Sequence, residues 1–183
     1  MRVGKFLFIL VFAGSQSLEA ACPRLLSWLG LHLTPGTRVV SLDEDFRSPL
    51  GVIDVVAAAI YRDGRHLMGL RGAAPLKGLY GQLGGKRERG ESLAQTLRRE
   101  LREEIGLEVD DLSLALVTTS YLKENGNRYR IFVIEVGRIL NEPSILELDK
   151  ILSLRWFLPD EIPAQVTSAS LDYLRLRGVL PKP

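Results

Sequence analysis

The chain has 183 residues, of which 46% are hydrophobic and 25% charged, ordinary values for one globular domain with its own core. The formal net charge of +2 is too small to indicate nucleic acid as a partner. A single cysteine, Cys22, excludes an internal disulfide and a cysteine-based zinc site, and the two histidines, His32 and His66, are far apart. Metal chemistry would therefore depend on carboxylates, whose oxygens favour magnesium, manganese or calcium.

Residues 1–49 are predicted to be an extension that precedes the domain. Two basic residues precede an apolar run at 6–13, and small residues follow as far as Cys22. This is the layout of a secretory signal, and the run is shorter than the about 20 residues of a membrane-spanning helix. A lipoprotein signal at Cys22 and a plain hydrophobic extension are alternatives. We expect a cytoplasmic protein without a stable membrane span, or an exported one if residues 1–20 act as a signal.

Turn signals and apolar runs divide residues 50–183, the predicted domain, into regular elements. Branched apolar residues predict a buried strand at 52–61, and Asp63-Gly64 is a hairpin turn that leads into a strand at 66–70. His66 in that strand is most simply a structural or surface residue. After a loop at 71–79, the predicted elements are a helix at 92–105, strands at 112–122 and 128–136 joined by Asn125-Gly126, a strand at 151–158, a helical turn at 159–161 and a helix at 168–177. This order predicts an α/β (α+β) fold with a mixed β-sheet sandwiched between α-helices.

The helix at 92–105 carries three carboxylates on one surface. Its start is marked by Ser92 and Gln95, which fit a capping box. Glu100, Glu103 and Glu104 are spaced i, i+3 and i+4, so they are neighbours whose charges repel. A divalent cation would offset that repulsion. Taken alone, such a charged segment is more often a solvated face laced with ion pairs.

The spacing around this cluster favours the metal interpretation. Gly85 is followed after five residues by Glu91 and after seven more by Arg99-Glu100-Leu101, with Glu103-Glu104 and Gly106-Leu107 completing the pattern. This stretch resembles the signature of the Nudix hydrolases at nine specified positions over 23 residues. The resemblance runs from about residue 54 to 163, and its flanks look most like the MutT-type branch, which cleaves nucleoside triphosphates. One departure is Leu83, where many relatives have proline before the glycine pair.

The resemblance implies a Nudix fold and a hydrolase that uses Mg²⁺, with Mn²⁺ as a second candidate cofactor. The implied metal ligands are Glu100, Glu103, Glu104 and a backbone carbonyl of the glycine pair, for which we take Gly85. Glu103 would also help to activate the attacking water. Arg99 would pair with Glu91 and orient the acidic cluster.

Two glutamates outside the signature are candidates for the general base. Glu147 is the first candidate and Glu142 the second, and a simply solvated loop residue is an equal alternative for Glu147. The predicted substrate contacts are Tyr80 for stacking and Arg71 and Lys77 for phosphates. Further candidates are Tyr129, Phe132, Trp156, Arg128 and Arg130, although aromatic residues in strands are more often part of the core.

The expected reaction converts a nucleoside triphosphate to the monophosphate and pyrophosphate. ADP-ribose or a nucleotide sugar is the alternative substrate, because the signature handles only metal and diphosphate. A nucleotide sensor without catalysis is a second alternative, which the complete set of glutamates disfavours. The expected partner is a small-molecule nucleotide, with a homodimer left open. Residues 1–47 carry no phosphate, metal or acid–base motif, so we expect them to be dispensable for catalysis.

Overall fold

The computed structural model describes residues 41–45, 48, 50–122 and 126–181. The signal-like run, Cys22 and Asn125 of the predicted turn lie outside these residues. None of the helices in the described part is long and apolar enough to cross a membrane.

All of the elements predicted after residue 50 are present. The described strands are β1 Val52–Arg62, β2 Arg65–Arg71, β3 Tyr80–Gly81, β4 Val109–Leu122, β5 Asn127–Ile139 and β6 Ile151–Phe157. The described helices are α1 Leu93–Ile105, a 3₁₀ turn Pro159–Glu161 and α2 Ser168–Leu176. The two-residue strand β3 was not predicted, because two residues are too few to show a period. The mixed sheet with its two α-helices confirms the predicted fold class.

The sheet has the strand order β3-β2-β1-β5-β4, and β6 pairs with the other edge of β2. β1 and β5 are parallel from Val52 opposite Arg128 to Ile60 opposite Val136, and the other pairs are antiparallel. β1 meets β2 only at its end, near the Asp63-Gly64 turn. The rest of that edge of β1 is therefore open to other backbone partners.

Each face of the sheet is covered by one helix. The apolar side chains of α1 pack against alternate residues of β1 and β5 on one face, in the larger core. On the other face, Tyr173 and Leu174 of α2 pack with Ala57, Ala59 and Val133. The alternation of β1 and β5 between these two cores is the period of two expected of a central strand.

Residues before the predicted domain also contact it. The side chain of Leu42 is buried in the larger core, and the Leu42 carbonyl accepts the Ala94 N–H at 2.9 Å. Asp45 pairs with Arg87 at 2.6 Å, and the Ser48 hydroxyl donates to Asp54 at 2.6 Å. The predicted boundary at residue 50 therefore separates residues that the structure holds together, and the folded unit begins no later than about residue 41.

We expect two truncated proteins, one starting at residue 41 and one at residue 49, to differ in stability. Only the longer one keeps Leu42 and Asp45, and full burial of a leucine side chain contributes about 2 kcal/mol. The shorter protein should unfold at lower denaturant concentration by about that free energy, while both keep their metal-dependent turnover. The variant Leu42→Ala in the longer protein should reproduce most of the loss, and the exposed Asp43→Asn should reproduce none. Equal denaturation midpoints for the two truncated proteins would show that the segment 41–48 does not stabilise the domain.

Candidate active site

The glycine pair is fixed along the open edge of β1. The Val56 N–H donates to the Gly85 carbonyl at 2.9 Å, and the Ala58 N–H donates to the Leu83 carbonyl at 2.7 Å. Leu83 is a fully buried core residue, so these backbone bonds hold the turn without the proline found in many relatives. A Cβ at Gly84, whose φ is +136°, would collide with the Val56 carbonyl. The backbone of β1 therefore leaves no room for a side chain at position 84, and only glycine fits.

The second glycine gives room to a carboxylate of α1. A Cβ at Gly85 would collide with the Glu100 carboxyl group, which lies directly against the Gly85 backbone. One turn further along α1, the Glu104 carboxylate accepts the Gly84 N–H at 3.1 Å. The glycine pair and two glutamates thus form a single contact between β1 and α1.

Both of these carboxylates are buried. Glu104 is 3% exposed, and its burial raises its pKa to about 7. The charge of Glu100 also raises this pKa, whereas the hydrogen bond from Gly84 lowers it. Burial also raises the pKa of Glu100, although the Arg99 guanidinium opposes it. Two neighbouring carboxylates held out of water are costly when both are charged, and a bound cation would remove that cost.

Without metal, Glu104 should make the protein less stable as the pH rises. Its folded pKa of about 7 lies above the unfolded value of 4.5, so its contribution to stability is intact below pH 4.5. About 3 kcal/mol should then be lost as the pH rises to about 7. Denaturant unfolding in a chelator, between about pH 5 and pH 8, should show this loss in the wild-type protein relative to Glu104→Gln. A difference between the two proteins that does not change with pH would contradict the assigned pKa.

Arg99 connects the acidic residues to one another. Its guanidinium holds Glu91 in a bidentate pair at 2.7 and 3.0 Å, and donates to Glu100 at 2.9 Å and Glu103 at 3.2 Å. It also donates to the Lys86 carbonyl at 3.1 Å. The hydrogen bonds from Arg99 lower the pKa of Glu91 to about 2. The expected Glu91–Arg99 pair is therefore present, and Arg99 also holds the Glu100 carboxylate.

Glu103 lies differently from its two neighbours. Its side chain is half exposed and faces Arg99 rather than the glycine pair. Among the described residues, no three His, Cys, Asp or Glu side chains converge closely enough to enclose a metal by themselves. The structure thus brings Glu100 and Glu104 together with Gly85 and leaves Glu103 at the rim, where water can reach it.

The loop that carries Glu147 docks on the end of α1. The Leu146 and Glu147 N–H groups both donate to the Glu104 carbonyl, at 2.9 and 3.3 Å. The Glu147 carboxylate pairs with Lys150 at 2.8 Å, and the charge of Lys150 also acts on Glu100 and Glu104. Lys150 is a neighbour of the site that our sequence analysis did not single out. Glu142, the second candidate base, instead pairs with Arg62 at 2.6 Å.

A cleft of about 340 Å³ opens beside the glycine pair, between the sheet and the start of α2. Arg71 lines it, and the buried Arg71 Nε has no hydrogen-bond partner in the described part of the chain. Lys77 is exposed, one residue beyond Leu76 in the cleft wall. Tyr80 does not line the cleft, because its ring packs edge-on against Phe157 at 5.1 Å.

The other aromatic and basic candidates also divide into residues that line the cleft and residues that pack or pair elsewhere. Tyr129 lines the cleft together with Gln82, which the sequence analysis did not single out although it is a lone polar residue before the glycine pair. Phe132 is part of the larger core, and Trp156 lies under the Arg62 guanidinium at 4.5 Å. Arg130 forms a bidentate pair with the buried Asp54, at 2.8 and 2.9 Å.

Comparisons with known proteins agree with this geometry. A family model described as the NUDIX domain matches residues 52–176. The CTP pyrophosphohydrolase of Escherichia coli K12 is 35% identical over 111 residues, which cover 60% of this chain and 78% of that protein. A MutT NUDIX hydrolase structure from Burkholderia pseudomallei is 31% identical with a TM-score of 0.66, covering 68% of this chain and 97% of that one. The solution structure of the E. coli ORF135 protein is 29% identical with a TM-score of 0.58, covering 74% and 100%.

The fold, the capped helix with its glutamates and the glycine pair define a hydrolase of phosphate anhydrides, and the chain belongs to the Nudix family. Within that family it is a MutT-like pyrophosphohydrolase.

Proposed function

We propose that this enzyme hydrolyses a nucleoside triphosphate to the monophosphate and pyrophosphate, with Mg²⁺ as its cofactor and Mn²⁺ as a substitute. The observation that carries the proposal is the pair of buried carboxylates, Glu100 and Glu104, held against the glycine pair beside a cleft that contains Arg71.

The residues at this position fit a hard divalent cation. Glu100 and Glu104 offer carboxylate oxygens from a region where two unneutralised charges are costly, and the Gly85 carbonyl keeps one lone pair beyond its bond to Val56. Glu103 at the rim would contribute through a bridging water, because Arg99 holds its carboxylate away from the other two. When bound, the metal would neutralise phosphate charge and lower the pKa of a water molecule.

The surrounding residues hold this arrangement and accept the proton. Arg99 fixes Glu100 and Glu103 from one side, which limits how far either carboxylate can turn. Glu147 is our candidate for the base that takes the proton of the attacking water, and Lys150 orients its carboxylate at 2.8 Å. The backbone bonds from residues 146 and 147 to the Glu104 carbonyl keep this base next to the metal ligands.

The cleft supports a small nucleotide as the substrate. Arg71 lines the cleft, and the exposed Lys77 follows the lining residue Leu76, so both cations are our candidates for contact with phosphate oxygens. Tyr129 and Gln82 replace Tyr80 as our candidates for contact with the base, because Tyr80 is committed to Phe157. The name of the E. coli relative, a CTP pyrophosphohydrolase, supports a triphosphate rather than ADP-ribose.

A substrate panel tests this proposal. The purified protein is incubated with Mg²⁺ and, in parallel, with CTP, the other common triphosphates, an oxidised guanine nucleotide and ADP-ribose, and the products are separated by chromatography. We expect triphosphates to be preferred, with monophosphate formed without a diphosphate intermediate. A preference for ADP-ribose would instead indicate an enzyme for ADP-ribose or nucleotide sugars. No turnover of any substrate would indicate a nucleotide-binding module without catalysis.

A further inference from the structure

A second cavity, of about 530 Å³, lies on the face of the sheet that α2 covers, at the carboxyl end of that helix. Its floor crosses four strands, where small residues at Ala59, Ser113 and Gly137 leave depth between larger neighbours. Tyr173 and Arg177 of α2 form one wall. None of the residues that line it also lines the catalytic cleft, and the proposed hydrolysis does not use it.

One polar side chain that lines this cavity, His66, has no hydrogen-bond partner among the described residues. His66 is 8% exposed, and within the described residues its imidazole contacts the Tyr61 ring at 5.0 Å but has no hydrogen bond. The ring nitrogens are not sealed from solvent, so they are open to the cavity that His66 lines. Burial lowers the pKa of His66, so the ring is neutral at physiological pH and offers one donor and one acceptor.

A carboxylate on the opposite side of the floor is also unpaired. Asp111 has a positive φ of 53°, and its carboxyl group lies on the Gly137 backbone, where a Cβ would collide with it. In the described part of the chain this carboxylate forms no ion pair or hydrogen bond. The other carboxylate, Glu135, is already engaged by the Tyr173 hydroxyl at 2.8 Å and by Arg177 at 3.0 Å. Arg177, the cation that lines the cavity, is therefore paired with Glu135, and the negative charge of Asp111 is not neutralised by a neighbour.

We propose that this cavity binds a small organic cation, an amine or amidinium attached to a flat or apolar body, through Asp111 and His66. The cationic group would pair with the Asp111 carboxylate, and an N–H of the ligand would donate to the unprotonated nitrogen of the His66 imidazole. The rings of Tyr61 and Tyr173 and the side chains of Ala59 and Val179 would cover its apolar part. Phosphorylated ligands are disfavoured, because Asp111 and Glu135 would repel them.

Benzamidine and benzamide test this proposal, since the two probes have the same shape and differ in charge. Each is titrated into the full-length protein while the ring signals of His66 are followed by NMR, in a chain with only two histidines. We expect benzamidine to shift the His66 signals and to bind about ten times more tightly than benzamide. The variant Glu104→Gln should bind benzamidine as the wild type does, which separates this site from the catalytic one.

Asp111→Asn is the decisive variant, because asparagine tolerates a left-handed backbone and the fold should be kept. It should weaken benzamidine binding about ten-fold. Its neighbour Asp110, which already pairs with Arg138, provides the matched control Asp110→Asn with unchanged affinity. Equal binding of the two probes, unchanged His66 signals, or wild-type affinity in Asp111→Asn would each overturn the proposal.

Discussion

The variant Glu104→Gln should lose turnover by about three orders of magnitude, the scale seen when one essential electrostatic group is removed from an active site. Glutamine keeps the shape of the side chain and can still accept the Gly84 N–H, now 3.1 Å from the carboxylate. What it removes is the negative charge that a cation would require. The loss should therefore appear in kcat and in the affinity for Mn²⁺, rather than in folding.

The same variant should be at least as stable as the wild type when metal is absent. The Glu104 carboxylate is buried near Glu100, and both effects raise its pKa, so removing its charge relieves desolvation and repulsion together. Above pH 7 in a chelator, we expect the melting temperature of Glu104→Gln to hold or rise. Glu108→Gln, which removes an exposed carboxylate paired with Arg102 at 2.6 Å, serves as the control with normal turnover. Full activity of Glu104→Gln would reject this residue as a ligand.

Gly85→Ala is expected to lower kcat about a hundredfold, because a ligand displaced by about 1 Å can cost that much. The added Cβ would overlap the Glu100 carboxylate, which must then turn away from the glycine pair. The φ of Gly85 is not in the left-handed region, so the backbone itself accepts alanine. The overlap should also lower the unfolding free energy by about 1–3 kcal/mol, the usual cost of overpacking.

A double-mutant cycle isolates the cause of the Gly85 effect. When Glu100 is shortened to alanine, the collision partner is gone, and Gly85→Ala should cost little further stability. The cycle is measured by denaturant unfolding of the two single variants and the double variant without metal. An equal loss of stability from Gly85→Ala with and without the Glu100 side chain would show that the contact between them is not the cause.

Features with local causes were predicted well from the sequence. Helix α1 begins at the Ser92 capping box, in which the Ser92 hydroxyl and the Gln95 side chain each satisfy the other's backbone N–H, and it ends at Gly106 with a φ of 61°. The hairpin turn has Asp63 and Gly64 at φ 51° and 77°, as a primed turn requires. Each of these signals depends on residues within a few positions of one another.

Features with tertiary causes were not predictable in this way. Tyr80 is a stacking candidate in the sequence, but β3 pairs with β2 and the Tyr80 ring packs against Phe157. Arg130 is a basic residue in a strand, and its partner Asp54 lies 76 positions away, so nothing nearby in the sequence indicates the pair. The burial of Leu42 against α1 has a similar cause, since its contacts are with residues far along the chain and no local pattern indicates them.

The candidate site combines a feature that the sequence predicts with one that depends on tertiary contacts. The spacing of Glu100, Glu103 and Glu104 placed all three on one helix surface, and the structure separates them by their contacts with the glycine pair and with Arg99. Helix periodicity fixes which side chains are neighbours, whereas the depth of each depends on what packs against the helix.

Phosphorus NMR of the hydrolysis of CTP with Mg²⁺, in wild type and Glu104→Gln side by side, tests the central claim most directly. We predict equal amounts of monophosphate and pyrophosphate from the wild-type protein, no diphosphate at any time, and almost no product from the variant or after chelation of the metal. Release of orthophosphate with a diphosphate intermediate, or equal rates in the two proteins, would contradict the assignment of these buried glutamates to cleavage between the first and second phosphates.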